Sequence, residues 1–434
     1  MANIYLEQGV PGSSLECLRE SYDITAEALG EDNKELHSTM YLMGVAMTSL
    51  ADYENASICL DRALAVLPST DSENRDIQVA RGKTLYQMGT VHEKTGDQVE
   101  AISCFEESVK ILQAASGNDL ELSNALNSLG NLLRNNNHEK ALDFCAQSLT
   151  IRVGLGDELL VANTKNNIGA VFLVMEDLDR AMAFSAEALR IKTGRLGKNS
   201  VETAKAMVNM GQLYFDQNLF TSADNYFKRG LKVFQVELEH DHPDIAMCMH
   251  RLGAIREALS DDKGALEHYL QTIHMFKSNG ASKKNATLAF SLHSAALIYY
   301  RQGNFSTACE KALDALDAKI DVFGAHHFET ASSHHWLGTI LLELNDPDSS
   351  LAHYKDALKH RVEYFGTEHL DVAGTLYGLG ATHFAKDEFE ESIECLIESL
   401  RVLRLVECDD EQVSKSELML GSCFQEIGQF ETGE

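Results

Sequence analysis

VNMGQLYFDQNLFTSADNYFKRGLKVF, residues 208–234, decides the fold. Apolar residues recur at helical spacing through Phe215, lapse from Asp216 to Asn218, and resume at helical spacing beyond. Such a pattern predicts two amphipathic helices joined by a tight turn. Within it, Gly211 sits in the first segment, Ala223 opens the second, and Leu231 follows eight residues later.

The same three features recur along the whole chain. Gly44, Gly89, Gly130, Gly169, Gly211, Gly253, Gly338, Gly380 and Gly421 each follow an apolar residue, and Ala296 fills the one missing place, at intervals of 39 to 45 residues. Twelve residues after most marks a small residue opens the second segment: Ala56, Ala101, Ala181, Ala223, Ala265, Ala308, Ser350 and Ser392, with Ala141 one residue early. An aliphatic residue follows after eight more, as at Leu64, Val109, Leu149 and Leu358. Each unit therefore reads as helix A, a turn and helix B, with small residues allowing the pair to approach closely.

Turns and prolines agree with this frame. Gly96 and Gly303 share one turn offset, and Tyr53, Phe220, Phe305, Phe389 and Phe430 stand two residues later. Pro11 and Pro347 fall in A-to-B turns, Pro68 after a helix B, and Pro243 at the start of a helix A, all places where a missing N–H is tolerated. Ala2 is a mark with Gly9 in its turn, and Gly421 opens a last unit that stops at Glu434 as helix B is due. Residues 1–434 thus read as one solenoid cut within a repeat at both ends, and uncapped ends suggest either a segment of a longer protein or ends that pack on another chain, self-association included.

VNMGQLYFDQNLFTSADNYFKRGLKVF and SAALIYYRQGNFSTACEKAL (294–313) resemble the tetratricopeptide repeat. The period near 42 and the inter-repeat segments HDHPDIA, GAHHFETA and GTEHLDVA are similar to the longer variant of kinesin light chains and nephrocystin-like proteins. This resemblance implies an all-α, right-handed superhelical solenoid of about ten antiparallel helix pairs, with the A helices lining its concave surface.

Composition agrees with helix: four prolines in 434 residues, 44% hydrophobic and 7% aromatic residues. A formal net charge of -29 repels phosphate backbones and anionic lipid, so neither nucleic acid nor membrane is an expected partner. The sequence shows no secretion signal and no apolar stretch of spanning length, and the cytoplasm is the expected compartment.

No phosphate-binding loop, dinucleotide fingerprint, nucleophile elbow or kinase signature is found, so the expectation is a chain that is not an enzyme and takes no cofactor. Nine cysteines, an odd number without a CxxC pair, indicate neither a disulfide framework nor a zinc ribbon. Cys17, Cys59, Cys104 and Cys395 share one helix B offset, where buried packing is expected. His326, His327, His334 and His335 cluster beside Trp336, but His327 repeats the positions of His242 and His369 at the entry of helix A. That repetition points to a part in the turn, and no metal is expected.

Candidate binding residues come from the A helices. VANTKNNIG (161–169) places three asparagines in mid-helix, where asparagine is a mediocre helix former. At about 100° per residue, Asn163 and Asn167 fall opposite the packing seam and Asn166 on the flank. Equivalent offsets hold Lys83, Asn124, Lys205, Asn209 and Arg251, a polar and locally basic strip in an acidic chain. Amide side chains both donate to and accept from a peptide backbone, and the cations favour acidic ligands. The resemblance to kinesin light chains adds that asparagines of an L-N-N-L-A motif contact cargo peptides: KNNIG matches it best, LNSLG with Asn127 and VNMGQ with Asn209 partially.

The sequence thus predicts a protein-interaction scaffold holding an extended, acidic or aromatic-acidic peptide through Asn124, Asn127, Asn163, Asn167, Lys205, Asn209 and Arg251. Three other readings stay open: a basic partner on the acidic convex face, the regulatory part of a larger signalling protein or enzyme, and self-assembly through the ends.

Overall fold

A left-handed residue seven places after most marks shapes the chain. Gly9, Ala51, Gly96, Glu176, Asn218, Ser260, Gly303, Asn345 and Asp387 all have positive φ, between 59° and 92°. The residue after most of them donates its N–H back into the last turn of helix A, as from Asp177 to Phe172 O and from Asp346 to Leu341 O, both 2.9 Å. That bond closes a Schellman-type cap. In several repeats the same residue then caps helix B: Asp52, Asp177, Asn304 and Asp346 accept from a backbone N–H three residues on. Tyr53, Phe220, Phe305 and Phe389 are accordingly the first residues of their B helices.

Most of these positions are not glycine. An L-residue held left-handed costs about 1–2 kcal/mol, from which glycine's greater freedom in the unfolded chain must be subtracted. Glu176→Gly is expected to stabilise by about 0.5–1 kcal/mol and raise Tm, and Gly303→Ala to destabilise by a similar amount. Thermal denaturation of both variants checks the sign.

The computed structural model describes the chain except residues 8, 32, 69–73, 116–118, 279–284, 407–409 and 433–434. It forms two compact units, residues 1–217 and 218–434. The first contains α1 (Ala2–Glu7), α2 (Pro11–Leu29), α3 (His37–Ser49), α4 (Tyr53–Ala65), α5 (Arg75–Thr95), α6 (Gln98–Ala115), α7 (Asp119–Leu133), α8 (His138–Leu155), α9 (Glu158–Val174), α10 (Leu178–Leu196) and α11 (Val201–Asp216). The second contains α12 (Phe220–Glu237), α13 (Pro243–Ala258), α14 (Asp262–Ser278), α15 (Ala286–Arg301), α16 (Phe305–Phe323), α17 (Phe328–Glu343), α18 (Pro347–Phe365), α19 (Leu370–Ala385), α20 (Phe389–Leu405) and α21 (Asp410–Thr432). No strand occurs among the described residues.

Odd-numbered helices are the A helices. Within each unit, A packs on its own B, and that B packs on the next A. Neighbouring A helices also touch, α3 with α5 and α7 with α9 in the first unit, α17 with α19 in the second. The marks are points of close approach, as the sequence predicts. A Cβ added to Gly44, Gly89, Gly253, Gly338 or Gly380 would lie 2.6–2.8 Å from Leu60, Phe105, Tyr269, Tyr354 or Leu396, the residue four places into the small-residue register of helix B. The small residues that open helix B, from Ala56 to Ser392, are all 0% exposed.

The aliphatic register is less uniform than its regular spacing implies. Val109 is buried, but Leu64, Leu149 and Leu358 are only half-buried, whereas the small residue before each, Ala63, Ser148 and Ala357, is fully buried. The helix face turned to its neighbours has room there for a methyl or hydroxyl group. Two expectations need correction. Cys17, Cys59, Cys104 and Cys395 are half-buried and not enclosed, although burial still raises the thiol pKa of the last three. Helix α21 also runs unbroken through Gly428 and Phe430, where the repeat frame predicts a turn. Among the described residues nothing lies within 4 Å of a Cβ built on Gly421, unlike at the packed marks.

Candidate peptide-binding surfaces

In the first unit the predicted strip lies on α5, α7, α9 and α11, and the structure separates its members. Asn209 and Lys205 are exposed, and Asn163 and Asn167 are part-exposed. The Asn124 amide oxygen accepts from Arg152 Nη2 at 2.7 Å, so that acceptor is already engaged. Asn127 and Asn166 hold buried amide oxygens without a hydrogen-bond partner, so neither offers that oxygen to a ligand.

The lysines of the strip are engaged as well. Lys83 pairs with Glu121 at 2.5 Å and Lys205 with Glu202 at 3.2 Å. The strip is therefore polar but less basic than its sequence suggests. Arg251 belongs to α13 in the second unit and is part-exposed.

Arg152 is one of a set that motif reading misses. Its guanidinium, near the end of α8, donates to Leu160 O at 3.1 Å and Thr164 Oγ1 at 2.9 Å on the next helix A. Arg361 does the same to Asp371 O at 2.8 Å and Thr375 Oγ1 at 2.7 Å. Lys192 reaches Glu202 at 3.1 Å, and Lys319 reaches the carbonyl and carboxylate of Glu329 at 3.2 and 2.8 Å. All four cations are buried, and the buried apolar residues Leu112, Phe234, Phe276 and Leu403 hold the same place in other repeats. The signal in the sequence is a cation 22 or 23 residues after four of the marks.

The second unit holds a pocket of about 710 Å³ on its A helices. Its lining includes Tyr300 of α15, Trp336 and Thr339 of α17, Gly374, Tyr377 and Gly378 of α19, and Lys415 and Met419 of α21. Trp336 meets Tyr300 edge-on, with 6.2 Å between ring centroids. Tyr354 is part of the wall. Its ring stands against both Gly338 and Gly378, leaving no room for a Cβ at either, and its hydroxyl shares a hydrogen bond of 2.8 Å with Thr339 Oγ1.

Burial pushes the Tyr354 phenol up to about 12 and the His335 imidazole down to about 3, so both line the pocket as neutral groups. Charge is confined to Glu343, which accepts from the Tyr300 hydroxyl at 3.4 Å, and Lys415, which pairs with Glu411 at 2.7 Å. An apolar pocket of this size with a few polar groups suits a small number of anchoring side chains.

Trp336, Gly378 and Met419 occupy the offset of Asn167 and Asn209, two residues before the mark. Gly374 and Lys415 occupy that of Asn163 and Lys205, six before it. The register rule that selects the asparagines also selects the pocket when it is carried beyond Arg251.

The histidines divide into two kinds. His242, His327 and His369 cap their A helices, each accepting from the N–H two residues on at 3.1–3.2 Å, as their repetition predicts. His326 instead faces His360, with their Nδ1 atoms 3.2 Å apart.

Among the described residues no helix is long and apolar enough to cross a membrane. The family model of the tetratricopeptide repeat matches residues 81–152, 160–235 and 287–363, together just over half of the chain. A TPR repeat-containing protein of Methanocaldococcus jannaschii is 23% identical over 355 residues, covering 74% of this chain and 55% of that protein. Kinesin light chain-related protein 1 of Arabidopsis thaliana is 23% identical over 248 residues, covering 54% and 40% respectively. The chain thus spans about half the length of these curated relatives. Among solved structures, the apo form of RapI superposes with a TM-score of 0.52 at 15% identity, covering 66% of this chain and 98% of RapI.

Proposed function

Because the chain belongs to the tetratricopeptide-repeat family, whose stacked helix pairs make protein-interaction scaffolds, we propose that its second unit binds an extended peptide through an anchoring aromatic or large aliphatic side chain. The observation that carries this is the pocket of about 710 Å³ that four successive A helices line. Trp336, Tyr300 and Tyr377 supply apolar faces at low entropic cost, while Gly374, with open space over its Cα, lets a ligand backbone approach α19. No chemistry is required of these groups; they bind and orient.

A second reading places an extended segment on the first unit. It rests on Asn163, Asn167 and Asn209, which remain at least part-exposed on the A helices. The pairing of Lys83 and Lys205 with neighbouring carboxylates weakens the case for a strongly acidic ligand there, and favours one held by its backbone.

Peptide arrays followed by fluorescence polarisation on the best binder test both. Trp336→Ala is expected to weaken binding about 30-fold, the effect of losing a buried aromatic anchor worth about 2 kcal/mol, with little change in Tm. Asn167→Ala with Asn209→Ala should leave that affinity unaltered. The opposite pattern, loss in the asparagine variant alone, would move the site to the first unit.

A further inference from the structure

Against the sequence expectation of no metal, the geometry points to a transition-metal site of the zinc class on the second unit, formed by His326, His360 and Glu363. His360 and Glu363 stand one helical turn apart on α18, so both side chains leave the same face. His326 comes from the turn between α16 and α17. That turn is held from several sides: Gly324 ends α16 with φ of +89°, Thr330 Oγ1 donates to Gly324 O at 2.8 Å, and His327 caps α17.

Three ligand atoms converge. His326 Nδ1 lies 3.2 Å from His360 Nδ1 and 3.7 Å from Glu363 Oε2, and His360 Nδ1 lies 3.3 Å from the same oxygen. Two ligands bound at about 2.0–2.1 Å around a tetrahedral ion stand roughly 3.3 Å apart. The three edges therefore match one face of such a coordination sphere before any side chain moves. His360 is buried, whereas the side chains of His326 and Glu363 are 74% and 50% exposed, so the fourth position opens to solvent. Two imidazoles and one carboxylate suit zinc better than calcium or magnesium, which prefer oxygen alone. A chain of net charge -29 adds a favourable field for any cation.

The repeat itself does not explain this cluster. Capping histidines recur from repeat to repeat, but in sequence register the counterparts of His326 and His360 are Lys284 with Ala318 one repeat before and Glu368 with Val402 one repeat after. Among the described residues it is the one group of three such side chains with converging ligand atoms. Nearby, His334 and His353 bring their Nδ1 atoms to 2.9 Å, but Asp356 stays 3.9 Å from His334, so that pair lacks a close third ligand. A bound ion would tie the entry of α17, which carries Trp336, to the end of α18.

The test uses the full chain, purified without a histidine tag and stripped with a chelator. Cobalt(II) absorption, competition with a zinc indicator, and Tm with and without Zn²⁺ are the readouts. Wild type is expected to bind one equivalent with intense visible bands of a four-coordinate cobalt site, and to gain Tm with Zn²⁺. His326→Gln and Glu363→Gln, both at exposed side chains, should each weaken binding at least ~10-fold and abolish the Tm gain. His240→Gln, an exposed histidine elsewhere in the unit, should change nothing. Equal zinc affinity in wild type and both ligand variants, or only the weak bands of octahedral cobalt, overturns the site.

Discussion

Lowering the pH from 7 to 5 is expected to cost the second unit several kcal/mol of stability, before most carboxylates titrate. Four imidazoles there are held neutral by burial: His250 and His334 titrate at about 4, His293 and His335 at about 3. Nearby cations assist, Arg251 beside His250, Lys319 beside His293 and Arg361 beside His335, while His353 and His360 act on His334 against the opposing pull of Asp356. The unfolded chain binds these protons near pH 6.5. Between about pH 6.5 and pH 4 the unfolded state therefore carries more protons, and stability falls as the pH falls through that window. His250, His293 and His335, the most enclosed, each contribute on the order of 2 kcal/mol at pH 5, and His334 less. Urea denaturation at pH 7 and pH 5 measures the loss, with Trp336, the only tryptophan of the chain, reporting on this unit. His293→Phe should flatten the slope. A midpoint that stays constant down to pH 5 would contradict the assignment.

Arg361→Ala is expected to destabilise the second unit by about 3 kcal/mol. Arg361 is 5% exposed, and its guanidinium makes hydrogen bonds of 2.7–2.8 Å to Thr375 and to the backbone of Asp371. Hydrogen bonds to a charged group contribute about 1.5–3 kcal/mol, and truncation also leaves a void between α18 and α19. Arg361→Met should cost much less, about 1 kcal/mol, because a long apolar side chain fills the volume without a charge to dehydrate. Phe276 and Leu403 already fill the same register in the same unit. The contrast separates loss of volume from loss of charge. Equal costs for both variants would show that the ionic contacts hold the seam.

The helix pairs are legible because each mark is a local event. A glycine, a small residue twelve places on and a left-handed turn between them lie within one short stretch, and Gly211, Asn218 and Ala223 show all three. Contacts that join distant segments are not legible. His326 meets Glu363 across 37 residues, with no periodic signal to announce it. Gly428 and Phe430 mislead, since they carry the turn's letters inside a helix that runs unbroken through them. Trp336 stands beside a run of histidines, and that company hides what its register says, which is that it shares the A-helix offset of Asn167 and Asn209.

Along the chain the buried register near the end of helix B reads Leu112, Arg152, Lys192, then Phe234, Phe276, Lys319, Arg361, Leu403. Apolar contacts weaken on cooling, whereas the cost of dehydrating paired ions falls on warming. Oily and ionic joints therefore rank differently in a cold cell and a hot one, and the first joint to part is chosen by the surroundings, not by a fixed address in the chain.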